Sequence, residues 1–398
     1  MKKTIATLLF MFFIQSSFGA SIDDTVETLV GPLTAALSSA VFFEINFFGQ
    51  ATPLIVLWLV AAGLFFTLYL GFINIRGFNH AIKVARGDYK DPDADGEISH
   101  FQAVSTAISG TVGIGNIGGV AVAIGIGGPG AAFWLFFAGF LGMSTKLVEC
   151  TLGVKYRRIN KDGSVSGGPM HYLETLLTER QLPRIGKFLG SFYALALVIG
   201  CFGIGNMFQS NQAYVQFVNI TGGSQSFFHE RGWLFGLLMA LTVGAVIIGG
   251  IKSIARAASK IVPFMGTLYF ISALAILILS AEHLIDSIIL IVTEAFSAQS
   301  ATGGMVGAMV IGFQRAVFSN EAGIGSASIA HSAVQTKEPV SEGIVSLLEP
   351  FIDTMVICTL TSLVIVSTAY PAGLMDSGLE GIELTSAAFA HHISWAPY

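Results

Sequence analysis

The sequence predicts an all-α polytopic membrane protein, and its composition is the first reason. Hydrophobic residues make up 53% of the 398 positions and charged residues only 11%, whereas soluble domains carry about 25% charged residues. The second reason is a series of long apolar stretches, and the third is the clustering of glycines inside two of them. The net charge of −5 by itself indicates no partner, and no nucleic-acid partner is expected. The lipid bilayer is therefore the expected surroundings.

The first 20 residues, MKKTIATLLFMFFIQSSFGA, predict a signal peptide. Two lysines precede an apolar run, and Ser17 and Gly19 occupy small-residue positions suited to cleavage. Residues 21–51 would then form an N-terminal segment outside the cytoplasm. An uncleaved, short first helix is the alternative.

Apolar stretches long enough to cross the hydrocarbon core need about 20 residues. They occur at 52–75, 101–124, 131–154, 188–218, 232–251, 261–281, 303–334 and 344–370. The shorter and more acidic stretch 284–298 predicts a helix that lies against the outer face.

The positions of lysine and arginine predict which loops are cytoplasmic, because cytoplasmic loops are rich in these residues. Basic residues follow the first, third, fifth and seventh stretches, and those after the fifth are Lys252, Arg256 and Lys260. Residues 371–398 contain none. We therefore expect an external N-terminus, with cytoplasmic loops at 76–100 and 155–186 and outward-facing segments at 219–231 and 371–387.

The segment GTVGIGNIGG at 110–119 resembles a dinucleotide fingerprint, with Gly113, Gly115 and Gly118 in the required spacing. Such a loop follows a hydrophobic strand and precedes an acidic residue about 20 positions further on. The preceding FQAVSTAIS does not resemble a strand, and the first acid is Glu149, inside the next apolar stretch. A broken membrane helix is favoured, and a membrane-bound nucleotide-binding enzyme stays as the rival interpretation.

A second copy of this glycine pattern supports the broken helix. SGTVGIGN at 109–116 aligns without a gap with SNEAGIGS at 319–326. In the predicted topology the two copies run in opposite directions, which is typical of an inverted repeat. Glycine weakens helices, and unwound backbone survives in lipid only where it lines a cavity or binds a ligand. We therefore expect two broken helices that hold a small zwitterion and its accompanying ion.

Longer motifs carry a family resemblance. SGTVGIGNIGGVAVAIGIGGPGAAFW, GMSTKLVECTLGVKYR, SGGPMHYLE, GIGNMFQSNQA and FSNEAGIGSASIAHSA make the chain similar to the alanine or glycine:cation symporter family. The resemblance implies sodium-coupled, or in some members proton-coupled, uptake of alanine or glycine by alternating access. It also implies a leucine-transporter-type fold, in which two inverted five-helix repeats follow one extra helix.

On that pattern, residues 52–100 form the extra helix and a cytoplasmic loop, 101–281 the first five-helix repeat, and 282–398 a partial second repeat. A full second repeat would contain further helices, one of which lines a sodium site. The resemblance therefore implies an incomplete second repeat. A truncated, non-transporting membrane protein that binds an amino acid is the alternative function.

The candidate substrate-binding residues are small or carry amides, which leaves room for alanine or glycine and offers directed contacts. They are Ser109, Gly110, Thr111, Gly113, Gly115, Asn116, Asn206, Gln209, Ser319, Asn320, Gly323, Gly325 and Ser326. Close helix packing through small residues is the alternative explanation for the glycine clusters. Sodium is expected as co-substrate, with no cofactor and no other metal.

Glu321 is a rare acid within an apolar stretch and is a candidate for ion or proton coupling. It could instead pair with Arg315 or cap the broken helix. Lys146 and Glu149, and likewise Glu349 and Asp353, have spacings typical of structural or snorkelling pairs near helix ends. The expected protein is a multi-pass symporter of the bacterial inner membrane, with no covalent chemistry.

Overall fold

The computed structural model describes residues 31–32, 35, 38–47, 50–297, 304–379 and 381–393. The chain forms two units, residues 1–57 and 58–398. In the first unit, strand β1 (Glu44–Phe47) pairs antiparallel with β2 (Gln50–Pro53). The predicted signal peptide and most of the predicted external segment lie outside the described residues.

Helices make up nearly all of the second unit, as the composition predicts. The helices are α1 (Leu54–Tyr69), α2 (Ile73–Arg76), α3 (Phe78–Arg86), α4 (His100–Thr111), α5 (Ile114–Gly127), α6 (Gly130–Lys155), α7 (Pro169–Glu179), α8 (Pro183–Ile220), α9 (Gly232–Ile247), α10 (Gly250–Leu279), α11 (Ala281–Ala295), α12 (Gly304–Asn320), α13 (Ala327–Ser332), α14 (Pro339–Ala369) and α15 (Gly381–His392). After α6, strands β3 (Arg158–Ile159) and β4 (Val165–Ser166), each of two residues, form an antiparallel hairpin.

Four of these helices, α6, α8, α10 and α14, are long and apolar enough to cross a membrane. The pair α4 and α5 gives a fifth candidate span, bent by 44°, and α1 and α9 are shorter apolar helices. Each predicted apolar stretch overlaps one of these helices or α12. Helix α11 forms at the shorter stretch, 284–298, for which a helix was expected. The prediction of an all-helical, multi-pass membrane protein is confirmed.

Helix α10 begins earlier than the hydropathy predicts. Gly250 adopts a left-handed φ of 66° and allows the chain to reverse directly after α9. The expectation that Lys252 and its basic neighbours lie in a loop is therefore wrong, because the helix contains them. Ala255 and Ala258, among these basic residues, and Val262, just after them, are buried at helical spacing. This part of α10 is therefore amphipathic rather than uniformly apolar.

Helices α4 and α5 form the first broken helix, and α12 and α13 form the second. Ile98, just before α4, bridges to Val334, just after α13. Asn116 donates a hydrogen bond of 3.0 Å to Ser319 near the middle of both. The two broken helices therefore run in opposite directions and meet where each is interrupted.

Helix α6 packs closely against both halves of the second broken helix through glycines. A Cβ atom at Gly312 would lie 2.6 Å from the carbonyl oxygen of Ala131, and one at Gly153 would lie 2.7 Å from that of Ser328. Only glycine permits such backbone approach. The interior residues of α6 are consequently held against the interruption between α12 and α13.

Arg157, just after α6, ties two segments together. Its guanidinium donates to the carbonyl oxygens of Asp95, Ser332, Val334 and Thr336 at 2.5–2.9 Å. Asp95 precedes the first broken helix, and the other acceptors end or follow the second. One side chain thus fastens neighbouring ends of both broken helices.

Candidate functional site

The first interruption lies at Val112 and Gly113, between α4 and α5. Both residues have extended backbone, and the N–H of Gly113 donates to the side-chain oxygen of Asn116 at 2.8 Å. Asn116 thereby satisfies a group that the interrupted helix leaves free. A helix rather than a strand precedes the glycines, so the dinucleotide-loop interpretation fails on its first structural requirement.

The second interruption contains three residues with left-handed backbone. Glu321 has a φ of 54°, Gly323 of 90° and Gly325 of 91°. Two glycines adopt this conformation without a steric penalty, whereas a glutamate at such a φ is strained. The N–H of Gly323 donates to a carboxylate oxygen of Glu149 on α6 at 2.9 Å, so the unwound backbone has a partner.

A buried polar cluster joins the two interruptions to α14. The Asn116 amide donates to Asp353 Oδ1 at 2.7 Å and to Ser319 Oγ at 3.0 Å. Ser319 Oγ donates to Asp353 Oδ2 at 2.8 Å, and Thr354 Oγ1 donates to the same oxygen at 2.7 Å. Asn116, Ser319 and Asp353 are each at most 1% exposed.

The Asp353 carboxylate has neutral hydrogen-bond donors around it and no ion pair with any described residue. A buried carboxylate without a counter-ion is energetically costly. Hydroxyl, amide and carboxylate oxygens of the same cluster are the ligand type that hard cations prefer. The arrangement can therefore accept a small cation between the two broken helices and α14.

The structure brings several of the predicted residues together. Gly115 lies against Ser319, where an added Cβ would be 3.5 Å from the Ser319 Cα. Asn320 accepts from the N–H of Ala322 and donates to Thr354. Gln209 on α8 lies near Gly113. These contacts place small residues and amides around the point where the broken helices meet.

Other predicted residues lie apart from this cluster. Three of them, Ser109, Gly110 and Asn206, are exposed at the surface of the structure. The Ser109 hydroxyl donates to the carbonyl of Thr106, and Asn206 lies in a π-helical segment, Gly203–Phe208, where it accepts from Ser210. Thr111 is buried and its hydroxyl turns back to its own helix. Asn206 and Gln209 thus have different environments despite their spacing.

Glu321 makes a short hydrogen bond with the hydroxyl of Ser326 across the second interruption. Among the described residues Glu321 forms no ion pair with Arg315, whose Nε has no hydrogen-bond partner there. This contact joins two side chains and involves no backbone N–H of α13, so ion or proton coupling and capping of the broken helix both stay predictions for Glu321.

Arg315 lines a cavity of about 620 Å³ between α5, α8, α12 and α15. Glu383, Gln212 and Phe318 also line it. Helix α15 covers the first turns of α5 through the approach of Ile382 to Gly118 and a hydrogen bond from Thr385 to the carbonyl of Ile117 at 3.0 Å. We call this cavity the vestibule, because it leads from α15 toward the interruptions.

Asp353 and Glu349 do not form the structural pair that their spacing suggests. Both are 0% exposed, and each binds a different helix. Glu349 accepts from Lys146 at 2.8 Å, whereas Asp353 binds Asn116 and Ser319. Sequence reasoning missed Asp353 as a site residue, although an acid inside an apolar stretch is a signal that could have found it.

Comparison with known proteins identifies the family of the chain. The model of the sodium:alanine symporter family matches residues 36–398. The sodium/alanine symporter AgcS of Methanococcus maripaludis is 41% identical over 340 residues, which cover 85% of this chain and 72% of that protein. An uncharacterized transporter of Haemophilus influenzae is 41% identical over 356 residues, or 88% of this chain and 74% of the relative. The probable sodium/glutamine symporter GlnT of Bacillus subtilis is 34% identical over 348 residues, or 87% and 69%. The chain belongs to the sodium:alanine symporter family, a family of transporters.

Proposed function

We propose that the protein carries a small neutral amino acid, alanine or glycine, into the cell together with sodium. The observation that carries the proposal is the buried carboxylate of Asp353, which faces both interruptions without a cation partner among the described residues. A sodium ion bound by the side-chain oxygens of Asp353 and Ser319 would neutralise it. Sodium binding would then favour the conformation in which the broken helices meet.

The amino acid would bind beside this ion, at the start of α5. A half-helix N-terminus inside the protein favours a carboxylate, because its N–H groups lack helical partners. A cavity of about 40 Å³ opens there, lined by Gly113, Met265, Tyr269 and Ile357. Since a water molecule needs about 10–15 Å³ of such volume, the space suits a small side chain better than a long one.

We propose alternating access between two inverted repeats as the mechanism. The opposite directions of the broken helices and their contact at Asn116 and Ser319 support this arrangement. The vestibule would be the outer route to the site, with Arg315 attracting the substrate carboxylate. The ends fastened by Arg157 would form the closed inner side.

Topology gives a first test. We propose an inner-membrane location with an external N-terminus, because the basic residues concentrate in segments 76–100 and 155–186. In a variant whose native cysteines are replaced by serine, an impermeant thiol reagent should label Ser224→Cys from outside intact cells. It should label Asp88→Cys only after the membrane is opened. Labelling of Asp88→Cys in intact cells would contradict the proposed orientation.

Uptake by reconstituted vesicles is the direct test. An inward sodium gradient should drive accumulation of alanine and glycine, and glutamine should be taken up at least about tenfold less, because its side chain exceeds the small cavity. Vesicles with choline in place of sodium, and vesicles with a proton gradient alone, are the controls. Substrate binding without accumulation under any gradient would instead identify a non-transporting binding protein.

A further inference from the structure

Six ionisable side chains form a continuous row through the interior of the second unit, here called the buried charge chain. Its consecutive contacts join His100 to Glu342 by a short hydrogen bond, Glu342 to His331 at 2.5 Å, His331 to Glu349 at 3.7 Å, Glu349 to Lys146 at 2.8 Å, and Lys146 to Glu149 at 3.5 Å. Four helices, α4, α6, α13 and α14, contribute to the row. None of these residues belongs to the proposed sodium site.

The two ends of the buried charge chain are slightly exposed, and its middle is not. The side chains of His100, the first residue of α4, and of Glu149 are 8% and 7% exposed, whereas those of His331, Glu342 and Glu349 are 0% exposed. At the α6 end of the row, Glu149 accepts from the N–H of Gly323 inside the second interruption. The row therefore connects the first residue of α4 with the unwound backbone of the second interruption.

The charges of the row balance only when it holds additional protons. Three carboxylates face one lysine, so two positive charges are missing unless both imidazoles are protonated. An unbalanced buried charge is strongly destabilising. The row is thus neutral with two protons on His100 and His331, and carries two negative charges without them.

The contact between His331 and Glu349 has the geometry of a proton-dependent bond. His331 Nδ1 lies against Glu342, and its Nε2 points toward Glu349 Oε2 at 3.7 Å. Neither Nε2 nor that oxygen has a hydrogen-bond partner among the described residues. A protonated imidazole donates from both nitrogens and would satisfy both carboxylates, whereas a neutral imidazole leaves one carboxylate facing a lone pair.

Other ionisable groups near the row leave this balance unchanged. Cys150, Tyr172 and Tyr193 interact electrostatically with Glu149 and are neutral near pH 7. The charged neighbours are Asp353, near Glu349, and Arg157, near Glu342. Their charges are opposite, and each has its own hydrogen-bond partners outside the row.

We propose that the buried charge chain is a proton-binding site that fixes the geometry of the second interruption. When His331 loses its proton, Lys146 is the only cation left beside Glu349. Lys146 then moves toward Glu349 and away from Glu149, whose carboxylate accepts the hydrogen bond from the Gly323 N–H. The interruption then loses its support from α6. This inference deepens the proposed function, on which its role in transport rests, whereas proton binding itself does not depend on transport.

The thermal stability of the purified, sodium-free protein tests the proton site. An unfolded histidine loses its proton near pH 6.5, and His331, whose ring lies between the carboxylates of Glu342 and Glu349, would retain its proton above that pH. Stability should therefore fall as pH rises. We expect the Tm of the wild-type protein to drop by several degrees between pH 6.5 and 8.5. His331→Gln should show a nearly flat profile, and His229→Gln, at an exposed loop position, should keep the wild-type slope.

Glu349→Gln removes one of the two carboxylates that face His331. It should therefore retain only part of the slope, and it replaces His331→Gln in the comparison if that variant does not fold. A flat wild-type profile, or equal slopes in the wild type and in the folded variant of the row, would overturn the proposal. Sodium-driven uptake with the internal pH varied separates the two hypotheses. Absence of uptake together with the expected Tm profiles would contradict the proposed function and leave the proton site standing. Uptake together with a flat Tm profile would contradict the proton site and leave the proposed function standing.

Discussion

Replacement of Asp353 by asparagine should abolish sodium-driven alanine uptake while the protein stays folded. Asparagine keeps the size and most hydrogen bonds of the residue but removes the negative charge that would bind sodium. At about 4 Å and an effective dielectric constant of about 20, one charge pair contributes about 4 kcal/mol. That corresponds to roughly a thousandfold loss of sodium affinity. Uptake in reconstituted vesicles at several sodium concentrations measures the loss.

Sodium binding without transport gives an independent measurement. A bound ligand stabilises the folded state, so sodium chloride should raise the Tm of the wild-type protein relative to choline chloride, and it should fail to do so for Asp353→Asn. Asp286→Asn is the matched control, because Asp286 is an exposed acid on α11. If Asp353→Asn keeps the sodium-dependent Tm shift, the proposed ion site is wrong.

Replacement of Lys146 by methionine should be among the most destabilising changes in the chain. Lys146 is fully buried and lies between Glu149 and Glu349. Its removal leaves Glu149 without a cation and Glu349 with His331 alone, and loss of one partner of a buried ion pair costs about 3–5 kcal/mol. The second change Glu349→Gln removes one of the two carboxylate charges and should restore part of the lost stability. Thermal unfolding in detergent measures both variants.

The ion pair of Arg158 and Glu174 provides the control for this prediction. Its N–O distance is 2.9 Å, close to the 2.8 Å of the buried pair, but its side chains are 51% and 36% exposed. Exposed pairs contribute about 1 kcal/mol or less, so Arg158→Met should change the Tm little. Equal losses in Lys146→Met and Arg158→Met would show that burial does not determine the effect.

The sequence predicts the apolar helices well because the bilayer imposes a length and a composition on each span. The helix breaks are also predictable, since Gly323 and Gly325 adopt the left-handed backbone that glycine permits. The start of α10 is not predictable from hydropathy. Ala255 and Ala258 are buried there, but the basic residues beside them lower the average hydropathy of the segment.

The role of Asp353 is not visible in its local spacing. Spacing on one helix shows that Glu349 and Asp353 share a face but not that this face meets two other helices, one carrying Lys146 and the other Asn116. Likewise, His100 and Glu342 are separated by 242 positions, and each is ordinary in its own segment. Such contacts depend on helix packing, which hydropathy and motif spacing do not encode.

The four carbonyl oxygens bound by Arg157 have a consequence for the rate at which neighbouring ends of the broken helices can separate. Neighbouring ends of the broken helices separate only if several charge-assisted hydrogen bonds break together. No lysine could reproduce this planar fork. In the proposed alternating-access cycle, separation at this end would cross an activation barrier set largely by Arg157. The turnover rate would then depend on a residue outside the proposed amino-acid and ion sites.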